Sequence, residues 1–130
     1  MEDLLTVLAV GDVVGRPGRN AATRMIPELR QRHRADMVIA NGENASGGFG
    51  LSLADARELF NCGVDVITSG NHIWDQKEIL PALDEMQILR PMNYPPGAPG
   101  RGWLVHDLGA RGPVAVCNIQ GLVFMPAIDS

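Results

Sequence analysis

One pattern occurs three times in the first 86 residues: a short apolar run, a glycine-led polar loop, and a stretch with helical spacing. The apolar runs are LLTVLAV (Leu4 to Val10), MVIAN (Met37 to Asn41) and VDVIT (Val64 to Thr68). Their length and apolar character suit strands buried on both faces. Strands alternating with helices predict an α/β fold with a mainly parallel sheet and flanking helices. Right-handed crossovers follow from strand twist.

The first helix is expected from Asn20 to about His33, on Ala22, Met25, Ile26 and Leu29 at i, i+3, i+4, i+7. Pro27 should bend or shorten it. The second should start at Ser52, with Asp55 three residues on as a capping box, and stop near Gly63. The third should take Asp75 as N-cap and Glu78 at N3, and run to about Met86. Arg90 to Gly102 is a Pro/Gly-rich loop. WLVHDL and PVAVCNI, joined by GARG (Gly109 to Gly112), read as a β-hairpin.

In a parallel sheet every strand ends on the same rim, and ligands bind there. Three loops meet at that rim: GDVVGRPGR (11–19), NGENASGGFG (41–50) and GNHIWD (70–75). They bring Asp12, then Glu43 and Asn44, then Asn71 and His72. Carboxylate, amide and imidazole ligands together suit a divalent cation, and two carboxylates without one repel or raise a pKa. Each residue also has a structural reading. Asp12 could cap a helix, Glu43 could pair with an arginine, and Asn44 or Asn71 could hold loop backbone. His72 could be structural. For Asp75 a helix cap is favoured, and for Trp74 packing. Arg16 and Arg19 are weak candidates for phosphate binding, since loop arginines are commonly solvated. His33 and His106 lie away from the rim and take no role.

Two rival motifs fail on detail. GDVVGRPG has G-x-x-x-G-x-x-G spacing, and Asp12 would set negative charge where a dinucleotide diphosphate must sit. No GK[ST] follows, so a P-loop is absent. An aspartyl-phosphate site would want a second Asp where Val14 stands.

The 130 residues suit one domain, and 45% hydrophobic content allows a packed core. A net charge of −4 argues against non-specific nucleic-acid binding. RQRHR (Arg30 to Arg34) falls at a helix C-terminus, where positive charge suits the dipole. No run reaches the roughly 18 apolar residues of a membrane span. MEDLLTVLAV begins acidic, without the basic start of a signal peptide. Cys62 and Cys117 lack CxxC spacing and are expected as buried, reduced thiols in a cytoplasmic protein.

Taken in order, GDVVGRPGR, NGENASGGFG, GNHIWD, RPMNYPPGAPGRGW (90–103) and NIQGLVFM (118–125) resemble the N-terminal half of the YmdB-like metallophosphoesterases, within the calcineurin-like phosphoesterase superfamily. The resemblance implies residues 1–130 as a single, incomplete domain, the N-terminal half of a metallophosphoesterase α/β sandwich. It implies two divalent ions (Fe, Mn or Zn) and hydrolysis of phosphodiesters, including cyclic nucleotides. By motif, Asp12 would bind one ion, Glu43 would bridge both, Asn71 would bind the second, and Asn44 would assist. His72 would be the acid that protonates the leaving oxygen or steadies the phosphoryl group. The wider superfamily opens with D-x-H; here Val14 replaces that His, a departure the YmdB-like branch shares.

The family's other ligands are histidines in later FHGE-like and GTHTH-like motifs, and no His follows His106. The expectation is a fragment, or a chain completed by a homo-oligomer or a missing C-terminal half, inactive or weakly metal-binding alone. Outside this class, a non-catalytic nucleotide- or phosphate-binding module is the alternative.

Overall fold

The structure is a computed structural model describing residues 4–126 and Ile128. The acidic start of the chain and most of its last four residues lie outside that range.

The repeated pattern folds as a parallel sheet. Its strands are β1 (Val7–Asp12), β2 (Met37–Asn41) and β3 (Val66–Thr68), in the order β1-β2-β3. Helix α1 (Gly15–His33) joins the first pair and α2 (Leu53–Asn61) the second. Strand β1 begins later than its apolar run because pairing with β2 starts at Val7↔Met37. Leu4 and Leu5 lie outside the ladder and are exposed. Gln87, Ile88 and Leu89 run along β3: Ile67 N donates to Gln87 O and Leu89 N to Ile67 O. This contact was not legible in the sequence.

Side-chain alternation divides the core. Val38, Ala40, Ile67 and Ile88 pack with Ala22, Ile26 and Leu59 on the helical face. Met37, Val66 and Leu89 face the other way, against Leu104 and Val116. Those two residues belong to the hairpin of β4 (Trp103–Asp107) and β5 (Pro113–Cys117), paired antiparallel across the expected Gly-rich turn.

Helix α1 differs from expectation at its start. It opens at Gly15, so the glycine- and proline-containing run Gly15 to Gly18 is its first turn rather than a loop. Proline is tolerated there because the first-turn N–H groups have no intrahelical acceptor. The helix is not shortened at Pro27 and continues to His33; both Pro27 and Thr23, whose carbonyl loses its donor, are exposed to solvent. Arg30, Arg32 and His33 occupy the last turn, as the dipole favours. Helix α2 starts as read, with Ser52 Oγ accepting from Asp55 N at 3.1 Å.

The helix expected over residues 75–86 does not form. Two short 3₁₀ segments, Asn71–Trp74 and Lys77–Leu83, stand in its place. Pro81 removes an interior donor. The intended caps are also used elsewhere. Asp75 binds His72, and Glu78 Oε1 accepts from Leu53 N at the start of α2.

Cys62 is buried, but Cys117 is exposed on β5, contrary to expectation. The strand's alternation turns Val116 inward and Cys117 outward.

Candidate active site

The strand ends align by register. Asp12 pairs with Asn41, and Asn41 with Thr68, so three successive loops leave the sheet at one rim. Between Val10 and Asp12 the β1–β2 register shifts at Gly11. An irregularity of this kind re-aims the next side chain. Asp12 emerges exposed at the rim and does not cap α1, whose N-cap is Val14 without a side-chain bond.

The first two loops are joined by Asp12 and Asn44. Asn44 Nδ2 donates to Asp12 Oδ2 at 2.8 Å, and Asn44 O accepts from Gly15 N at 2.9 Å. Turning the amide over would set its oxygen against the carboxylate, so this orientation is the favourable one. It leaves Asn44 Oδ1 buried without a hydrogen-bond partner among the described residues. A buried amide oxygen in that state costs about 1–3 kcal/mol.

Glu43 joins the second and third loops. Its Oε2 accepts from His72 N at 3.3 Å, and its Oε1 lies 3.4 Å from Asn41 Nδ2. Asn41 Oδ1 also accepts from Glu43 N at 3.0 Å, fixing the turn that aims the carboxylate. In sequence Asn41 reads as a strand end and the first residue of the second loop, without a role of its own. Its place two residues before Glu43 is an Asx-turn signal that could have found it. The carboxylate lies so close to Gly70 that a Cβ there would sit 2.5 Å from both oxygens. Asn71 stands between Gly70 and His72, both of which meet Glu43. Its side-chain amide makes no hydrogen bond among the described residues. Within that range no Lys or Arg pairs with Asp12 or Glu43, so the arginine reading of Glu43 is not realised.

His72 Nδ1 lies 2.7 Å from Asp75 Oδ2, and the Phe49 ring stands 5.4 Å from the imidazole, tilted by 55°. Trp74 packs edge-on against Tyr94, as the packing reading expected.

Arg19 is fully engaged in the scaffold. Its Nε lies 2.9 Å from Glu58 Oε2 and 3.2 Å from Asp55 Oδ1, and its Nη1 donates to Ala45 O at 2.6 Å. Arg19 thereby ties the glycine-rich loop to α2. Ser46 Oγ reinforces this tie, bonding Asp55 Oδ2 at 2.5 Å. Arg16 is exposed on the first turn of α1.

Asn118, from NIQGLVFM, supports the third loop from within. It is buried, and its Nδ2 donates to Ser69 O at 2.7 Å and Leu89 O at 3.2 Å. No local signal assigned it this role, because its partners lie 49 and 29 residues away.

The rim therefore brings Asp12 to Asn44, and Glu43 to Gly70 and His72, the two neighbours of Asn71. Among the described residues, no group of three or more His, Cys, Asp or Glu side chains is placed to hold a metal ion. The oxygen donors still fit a divalent cation. Asp12 and Glu43 lack a basic partner among the described residues, and the orphaned Asn44 Oδ1 is a neutral oxygen ligand of the type such ions accept.

The model of the YmdB-like protein family matches residues 8–130. The chain belongs to that family. A 2′,3′-cyclic-nucleotide 2′-phosphodiesterase of Bacillus subtilis (strain 168) is 41% identical over 127 residues, covering 96% of this YmdB-like chain and 47% of that enzyme. A Thermus thermophilus protein of known crystal structure superposes with a TM-score of 0.89 at 40% identity, over 95% of this chain and 48% of that one. A crystal structure described as a novel phosphatase, from Mycoplasma pneumoniae, gives 0.86 at 32% identity, over 96% and 47%. The YmdB-like chain thus spans about half the length of these relatives. Among its described residues no helix is long and apolar enough to cross a membrane.

Proposed function

We propose that this chain carries the N-terminal part of a dinuclear, metal-dependent phosphodiesterase site acting on small phosphodiesters such as cyclic nucleotides. The observation that carries the reading is the rim itself. Asp12, Glu43 and Asn44 gather there without a basic partner among the described residues, beside Asn71 and a histidine, in a chain 41% identical to a cyclic-nucleotide phosphodiesterase. Asp12 would hold one divalent ion, Glu43 would bridge to a second, Asn71 would hold the second, and Asn44 Oδ1 would assist. Such ions, when bound, polarise a phosphoryl group and make water nucleophilic near neutral pH. Iron, manganese and zinc all suit this donor set. The rest of the ligand set would come from polypeptide equivalent to the unmatched half of the relatives, so these residues alone hold metal weakly.

His72 would donate a proton to the departing alkoxide, and its backbone N–H already steadies Glu43. A positioned general acid contributes typically about 10²–10⁴-fold. That contribution depends on the leaving group. An alkoxide needs the proton, whereas nitrophenolate leaves without it.

The test pairs metal content with turnover, both measured on this chain joined to polypeptide equivalent to the unmatched half of the relatives. Asp12→Asn and Glu43→Gln should lower bound Mn²⁺ on titration, while His72→Ala keeps it. His72→Ala should slow hydrolysis of a 2′,3′-cyclic nucleotide by about 10²-fold or more and barely affect a nitrophenyl diester. Undiminished Mn²⁺ binding by Asp12→Asn would reject the metal roles. Equal loss on both substrates would reject the acid. Nucleotide binding that is indifferent to chelator, with no hydrolysis, would favour a non-catalytic module.

A further inference from the structure

His72 is held from two sides by residues of different loops. Asp75 lies three residues on, just past the 3₁₀ turn Asn71–Trp74. In that geometry, side chains at i and i+3 eclipse one another, which brings the Asp75 carboxylate to Nδ1 at 2.7 Å. Asp75 is thereby turned away from the helix-cap role its sequence position suggests.

The second side is Phe49. The residue is 63% exposed, and its ring lies 5.4 Å from the imidazole, centroid to centroid. The glycine-rich loop fixes its position. Phe49 N donates to Ser46 O at 3.2 Å, and Phe49 O accepts from Gln76 Nε2 at 3.3 Å. Gly50, with φ +76°, lets the loop press on the third one: a Cβ there would lie 2.7 Å from Gln76 Cγ and 3.2 Å from Asp75 Cβ. Phe49 and Asp75 thus meet the ring, and Gln76 ties the backbone of Phe49 to the third loop. Nε2 makes no hydrogen bond among the described residues.

We propose that Asp75 and Phe49 are positioning residues that lock the His72 ring as its Nδ1–H tautomer and present Nε2 at the rim. Asp75 Oδ2 accepts the Nδ1–H hydrogen bond, and Phe49 limits rotation of the ring. A histidine ring nitrogen is assigned its role by the bond the other nitrogen makes. The proposal rests on the reading of His72 as the acid only for its consequence, namely which nitrogen faces a leaving oxygen. The ring state itself stands on geometry.

The experiment is ¹⁵N NMR of the imidazole nitrogens in the full chain. The chain has three histidines, so the signal lost in His72→Gln identifies the residue. The spectrum is taken at about pH 9, above the ordinary imidazole pKa of about 6.5. Native protein should show Nδ1 protonated and Nε2 with its lone pair free. Asp75→Ala should reverse this to the Nε2–H majority of a free imidazole, with His106 unchanged as an internal control for the fold. Phe49→Ala should keep the tautomer and move the His72 ring-proton shifts.

An Nε2–H majority in the native protein overturns the proposal and needs no variant to fold. So does an Asp75→Ala tautomer that matches native. Ring-proton shifts unmoved by Phe49→Ala remove Phe49 from it. A native Nδ1–H tautomer in a protein whose His72→Ala variant hydrolyses normally would instead sink the acid and leave the clamp standing.

Discussion

Gly70→Ala should damage the site far more than the fold. Gly70 has φ −142°, so its backbone conformation does not demand glycine. Its neighbour does. An added Cβ would meet both Glu43 carboxylate oxygens at 2.5 Å and Cδ at 2.8 Å, against an ordinary contact of at least 3.4 Å. The carboxylate must therefore retreat by about 0.9 Å, the difference between those contacts. It stands at the end of a rotatable side chain and can do so by turning. The retreat gives up two long contacts, to His72 N at 3.3 Å and Asn41 Nδ2 at 3.4 Å. Bonds that long in a half-buried site are worth about 1 kcal/mol together, which for a domain this size lowers Tm by about 3–5 °C.

A metal ligand is far less tolerant. Ligand distances hold to about 0.2 Å, so a retreat of about 0.9 Å removes Glu43 from any shared position. The expected loss in Mn²⁺ affinity is about 10–100-fold, the scale seen when a ligand's support is removed. Titration with electron paramagnetic detection of free Mn²⁺ measures the affinity, and a thermal melt measures the fold. A double-mutant cycle isolates the cause. In a Glu43→Ala background, Gly70→Ala should cost almost nothing further in either assay, because the clash partner is gone. Native-like affinity in folded Gly70→Ala would mean that the carboxylate beside Gly70 holds no metal. Full additivity in the cycle would place the damage elsewhere.

Two further outcomes follow from the packing. Asn118→Ala should lower stability by about 1–3 kcal/mol, because Ser69 O loses its buried donor while Leu89 O keeps Ser69 Oγ at 2.6 Å. Asn118→Asp should be worse than Ala, since a carboxylate would face two carbonyl oxygens; a thermal melt ranks the three proteins, and the reverse order would refute the assignment. Native protein should react with a disulfide reagent at one thiol, Cys117, and at both once denatured. Burial pushes the Cys62 thiol pKa up and keeps it protonated as well as shielded; rapid modification of Cys62 in folded protein would contradict this.

Strand and helix periodicity made the sheet legible, because strands of a parallel sheet carry apolar runs and the parallel arrangement then sends every loop to one rim, although β1, at the edge of the three-stranded sheet, has no fully buried residue. Asp12, Glu43, Asn44, Asn71 and His72 could be placed together on that ground alone. Their pairings could not, since these depend on how loops dock. Arg19 shows the difference. In sequence a loop arginine reads as solvated, with phosphate binding the weaker alternative. It sits instead on the first turns of α1, where Asp55 and Glu58, three apart on α2, present two carboxylates to its guanidinium. Asp75 makes the same point in reverse. Its sequence position is that of a helix cap, but two 3₁₀ segments, Asn71–Trp74 and Lys77–Leu83, stand where the helix would run. The tighter 3₁₀ turn then gives its carboxylate to His72. In both cases local backbone geometry, a 3₁₀ turn or the start of a helix, redirected a charged side chain from its nearest sequence role to a different partner. The charge pattern alone therefore identifies the rim. Which carboxylate is left unpaired for a cation depends on which ones the scaffold has already taken, and here those are Asp55, Glu58 and Asp75, leaving Asp12 and Glu43.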